Sequence, residues 1–123
     1  MIKTILFVGF GGALGSVLRY LITIGINQII TISFPIATFS INIIGCLLIG
    51  ILYGISEKNN LGNSDLNSLL IIGFCGGFTT FSTFANENLK LFQQENFLVP
   101  ALYISLSVIL GILAVRLGYK IIL

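Results

Sequence analysis

The sequence predicts an all-α membrane protein with four transmembrane helices, the third of them broken. Three observations predict it. Only 8% of the 123 residues are charged while 56% are hydrophobic. A soluble domain carries about a quarter charged residues, so this chain could not cover a water-facing surface. The apolar residues also fall in four long blocks, 4–27, 34–56, 66–91 and 97–123, each close to the ~20 residues that cross a bilayer. Finally, the third block carries an interruption, "GGFTTF", near its middle. The four spans use nearly all of residues 1–123 as one transmembrane domain in the lipid bilayer of a cell membrane.

The first block, within "MIKTILFVGFGGALGSVLRYLITIGI", exceeds the roughly 7–15 apolar residues of a signal-peptide core and lacks a small-residue cleavage site. It is read as a retained span. Gly11 and Gly15 make a small-xxx-small pair, as do Gly50 and Gly54 in the second span; such spacing lets helix backbones pack closely in lipid. Arg19 is the one charge deep in the first span. It snorkels to the nearer interface and, compatibly with that, can stand as a positive charge in a water-filled vestibule that draws anions in.

"NQIITISFP" separates the first two spans, and Pro35 suits the first turn of a helix, where its missing N–H costs nothing. In the second span Asn42 is an intramembrane amide that must find a partner or water. It makes an interhelical hydrogen bond or lines a pore, where its NH2 offers two donors; Gly45 keeps that face open. The one strongly polar loop, "SEKNNLGNSDLNS", ends on Ser64 with Asn67 three positions on, an N-cap signal for the third span.

In the third span Gly76 and Gly77 each weaken a helix by about 1 kcal/mol relative to alanine. Broken backbone in lipid is tolerated only where it is buried in protein or lines a cavity, and freed carbonyls can bind a cation. "GGFTTF" is therefore either a packed kink or a site. Phe81 and Phe84 share a face, with Ser82 and Thr83 between them. They pack against neighbours, or they turn their positive ring edges to an anion path. After "QQENFLVP", Tyr103 and Ser107 stand one turn apart on the fourth span, as helix-to-helix hydrogen bonds or as part of a polar path.

Several classes are excluded. The first two spans contain no Asp or Glu, and the chain has no His. Glu87 is the one candidate for the titratable group that a proton-coupled carrier needs, and it sits toward the end of its span. No nucleophile–base pair suggests an enzyme. Cys46 and Cys75 suit apolar packing, without a zinc site. A net charge of +2 implies no nucleic acid. Lys3, Lys58, Arg116 and Lys120 fall on one side of the membrane, against Lys90 and Arg19 on the other. So weak a bias permits insertion both ways up, which makes an antiparallel dimer of identical chains available.

"GGALGSVLRY", "FPIATFSINIIG" and "GFCGGFTTFSTFANE", with Tyr103 and Ser107 in the fourth span, together resemble the Fluc (CrcB-like) fluoride channels of microbes. The resemblance implies a fluoride-selective channel for passive efflux and fluoride resistance, an antiparallel homodimer, and two pores. It implies a structural sodium ion at the dimer centre, held by the backbone carbonyls of Gly76 and Thr79. Phe81 and Phe84 become the pore aromatics, Asn42 the pore asparagine, and Arg19 the arginine of the first motif. Ser82, Thr83, Tyr103 and Ser107 fall on or near the polar side of the path. Two departures stand out: Ala37 where the family often has Gly, and Gly111 where a further hydroxyl can occur. If Gly76 serves a tight turn, Gly76→Val should weaken the dimer or abolish flux. The rival reading is a small multidrug-type, proton-coupled exporter, which would need a carboxylate where the first span has Arg19; a non-transporting assembly subunit is a third.

Overall fold

A computed structural model describes all residues from Met1 to Leu123. It is all-helical, and four helical stretches are long and apolar enough to cross a membrane. They are α1 (Ile2–Ile29), α2 (Ile36–Lys58), a third stretch over Asp65–Gln93, and a fourth over Leu98–Ile122. The third is composite. It runs as α3 (Asp65–Asn67), a π-helical segment (Ser68–Cys75), α4 (Gly76–Phe78) and α5 (Phe81–Gln93); the fourth stretch is α6.

These helices coincide with the four apolar blocks, with ends shifted by a few residues. Pro35 lies just outside α2 as its N-cap and not within the first turn. Its φ of −77° and ψ of 71°, with Ile36 N–H donating to the Phe34 carbonyl (2.8 Å), form an inverse γ-turn that aims the chain into the helix. At the far end Asn60 adopts φ 55°. The Leu61 N–H reaches the Ser56 carbonyl (2.8 Å) and the Asn60 N–H the Glu57 carbonyl (3.3 Å), a Schellman close that satisfies two orphan carbonyls. Ser64 does cap the third span, its Oγ accepting from the Asn67 N–H (3.2 Å).

Packing runs in two pairs: α1 lies along the π-helical segment and α4, and α2 lies along α6. Both pairs depend on glycine at the crossing. A Cβ on Gly11 or Gly15 would run into the carbonyl oxygens of Leu69 or Phe74. From the other side, a Cβ on Gly73 or Gly77 would stand 2.7 Å from the Val8 oxygen or 2.5 Å from the Gly12 oxygen. The α2–α6 seam is built alike, with Gly50 under the Val115 carbonyl and Gly118 under that of Leu47. Small residues on both partners bring backbones together, the source of dispersion energy that remains when the surroundings are as apolar as the helices.

The chain buries only 19 of its 123 residues, so most apolar side chains face outward, as lipid or a second copy requires. The core is small: Ile41, Cys75, Phe78 and Tyr103 are its most enclosed apolar members. Cys75 packs there as expected, and both cysteines are free.

Candidate functional site

The interruption falls within "GGFTTF" as expected, but at its threonines and not at its glycines. Gly76 and Gly77 are helical, and the chain leaves the helix at Thr79 (φ −84°, ψ 158°) and Thr80 (φ −150°, ψ 121°). A Cβ on Gly76 would meet nothing, whereas Gly77 is held against Gly12 by close packing. Hence Gly76 serves no tight turn in the chain, and Gly77 serves an interhelical contact.

Side chains hold the break open. The Thr80 N–H, which in a continuous helix would return to the Gly76 carbonyl, donates instead to Asn42 Oδ1 (2.9 Å). Asn42 Nδ2 donates to the Thr80 carbonyl (3.1 Å). The Thr83 N–H, which would return to Thr79, donates to Thr80 Oγ1 (3.2 Å), an N-cap for α5. The carbonyls of Gly76 and Thr79 are thereby released from their helical donors. These are the two positions that the sequence resemblance marks for a cation.

A cavity of about 300 Å³ lies beside the break. Asn42, Phe81, Phe84 and Ser107 all line it, so four of the expected pore residues converge, with Thr79 of the expected cation site beside them. The rings of Phe81 and Phe84 are 5.8 Å apart between centroids. Ser107 Oγ is buried and has no hydrogen-bond partner. A buried hydroxyl left unpaired costs about 1–3 kcal/mol, and this one belongs to a residue of the cavity wall. Gly45 does not simply keep this face open: a Cβ there would collide with the methyl of Thr79, which packs into that space. Cys46 also lines the cavity, one turn beyond Asn42, a placement that its apolar setting did not suggest.

A second, more polar cavity of about 280 Å³ holds Arg19, Thr38, Thr80 and Thr83 among its walls. Arg19 Nε donates to the Gly77 carbonyl (3.0 Å), which puts a positive charge against the break. Thr83 faces this cavity and not the one between the rings, while Ser82 is exposed on the chain's surface. Tyr103 lines neither cavity. It is fully buried, and its hydroxyl donates to Glu87 Oε1 (3.2 Å). Its ring meets Phe84 edge-on at 4.9 Å. Tyr103 thus braces Phe84 from behind, and Ser107, one turn along, reaches the cavity. The spacing of the pair fixes a shared face, but Tyr103 lies opposite α5 and Ser107 opposite the break.

Residues 6–119 match the family described as CrcB-like protein, Camphor Resistance (CrcB). The chain belongs to the CrcB-like family. One CrcB-like relative, a fluoride-specific ion channel FluC of Flavobacterium psychrophilum, is 53% identical over 116 residues, covering 94% of each chain. A protein of the same description from Azobacteroides pseudotrichonymphae is 47% identical over 119 residues, 97% of this chain and 95% of that one. Another, from Leptospira interrogans, is 41% identical over 110 residues, 89% and 87% of the two chains. These descriptions are of ion channels and not of enzymes, in line with the expectation from the sequence. CrcB-like membership and four membrane-crossing helices make this a multi-pass membrane protein.

Proposed function

We propose that the chain is a fluoride-specific channel of the cytoplasmic membrane, which lets fluoride leave the cell passively and so gives fluoride resistance. The observation that carries this reading is the cavity at the break, where two phenyl rings, an amide and an unpartnered buried hydroxyl converge. Fluoride is small and strongly hydrated. A path through lipid must replace its water with donors, here the Ser107 hydroxyl and the second N–H of Asn42, and with the positive edges of Phe81 and Phe84. Arg19 supplies the field that draws an anion toward the threonine-lined cavity. Fluoride that enters as HF and ionises inside then has a way out that needs no coupled proton. The relatives described as fluoride-specific channels support the same reading. The exporter alternative finds no such support, since the first span offers Arg19 and no carboxylate.

The working unit is an antiparallel homodimer. Phe81 is 79% exposed in one chain, a poor place for a ring that must enclose an ion, and a second copy across this face would cover it. The carbonyls of Gly76 and Thr79 fit a hard cation such as sodium, which takes oxygen ligands. One chain offers too few, and a second copy would add its own pair. The ion would supply a central positive charge that holds the two breaks together. The weak bias in basic residues makes both orientations available from one chain. Reporter fusions at the C-terminus are expected to find it on both sides of the membrane; a single orientation in a conducting protein would rule dual insertion out. Flux separates the channel from a carrier. Liposomes loaded with fluoride, with no pH gradient, are expected to release it as soon as a potassium ionophore relieves the charge. Release that requires a proton gradient would overturn the proposal.

A further inference from the structure

We infer that Asn42 is a positioning residue, a latch that holds Thr80 out of the helix and so keeps the Gly76 carbonyl free. The sequence offers Asn42 as a donor to an anion with both of its N–H groups, but the structure spends one of them, and Oδ1, on the two backbone groups of Thr80. A donor and an acceptor side by side, facing one residue's C=O and N–H, reproduce the pairing of a neighbouring β-strand. Thr80 has the extended dihedrals that such pairing needs. Both partners are backbone atoms of fixed polarity, so the orientation of the amide follows from them. Helix α2, which carries Asn42, is anchored on α6 through Gly50 and Gly118. The latch is therefore mounted on a helix pair distinct from the one that carries the break.

Without the amide, the Thr80 N–H would stay in a partly buried setting with no partner. The nearest remedy is for Thr80 to turn helical and return its N–H to the Gly76 carbonyl. Asn42 thus acts on both ions of the proposed channel: it lines the anion cavity with its remaining N–H, and it withholds a donor from a carbonyl of the cation site. The cation half of this inference rests on the sodium reading above, while the latch itself stands on the two hydrogen bonds alone.

Backbone shifts test it. Carbon-13 threonine with nitrogen-15 phenylalanine selects the pairs Thr38–Phe39, Thr80–Phe81 and Thr83–Phe84. Of these only Thr80 is extended, and Thr38 and Thr83 serve as helical controls. In membranes, wild-type Thr80 is expected at extended shifts. Asn42→Asp, which keeps an oxygen for the Thr80 N–H, should hold it there. Asn42→Leu, which keeps the volume and loses both bonds, should move it to helical values. Thr80 still extended in the leucine variant, or helical in the aspartate variant, overturns the latch. The second arm decides even if the leucine protein fails to fold. Replacing sodium by a large organic cation should destabilise the wild-type and aspartate dimers and leave the leucine variant unaffected. If the wild type is indifferent to sodium while the shifts behave as expected, the latch stands and the cation reading falls.

Discussion

Gly77→Val is expected to leave no folded channel, whereas Gly76→Val leaves the chain's own fold intact. The two glycines are adjacent and chemically identical, so helix propensity charges them equally. Their surroundings differ. A Cβ at Gly77 would stand 2.5 Å from the Gly12 carbonyl and 3.0 Å from its Cα. The obstacle is backbone, which cannot swing aside as a side chain would. Overpacking a well-fitted core costs about 1–3 kcal/mol, occasionally more, and here α1 must move away from the third span as a whole. At Gly76 a Cβ meets nothing, so damage from valine there would report on contact with a second copy and not on the chain. Size-exclusion profiles of the two variants in detergent separate the cases. A monodisperse, conducting Gly77→Val protein would show that the α1 crossing is not as close as described.

Phe81→Ile is expected to lower fluoride flux at least roughly tenfold with assembly unchanged, which corresponds to ~1.4 kcal/mol on the conduction barrier. The ring lies on the cavity beside Phe84 and the unpartnered Ser107 hydroxyl. Because it is largely exposed in the chain, the fold of the chain does not depend on it. Isoleucine keeps most of the apolar volume and removes the ring edge, the feature that can face an anion. Efflux from liposomes, alongside the size-exclusion profile, measures both halves of the expectation. Normal flux through the isoleucine variant would remove the ring from the path.

The bilayer made most of the fold legible. Four spans follow from apolar run lengths, and the Gly11–Gly15 and Gly50–Gly54 spacings gave two of the close crossings in advance. Their partners were harder to see. Gly73 and Gly77 are a small-xxx-small pair too, but Gly77 beside Gly76 also reads as a helix breaker, and propensity gives the glycines of "GGFTTF" a role that falls to its threonines. Its position is set by Asn42, 38 residues away in sequence, and no local rule contains that bond. The site divides along the same line. Asn42, Phe81, Phe84 and Ser107 were identified, and they converge. Ser82, Thr83 and Tyr103, expected on or near the polar side of the path, do not line the same cavity, because residue spacing fixes a helix face but not what stands opposite it. Cys46 was passed over as a packing residue, although its position one turn after Asn42 was the available signal. The contact of Arg19 with the Gly77 carbonyl is a partner that charge and depth alone do not identify.

The most direct test of the central claim is the ratio of fluoride to chloride flux through the purified wild-type protein in the same liposomes. Donors and ring edges around a cavity at a helix break favour a small anion that must shed its water. Fluoride efflux is expected far above chloride efflux, under one membrane potential and with no pH gradient. Equal fluxes of the two halides would contradict it.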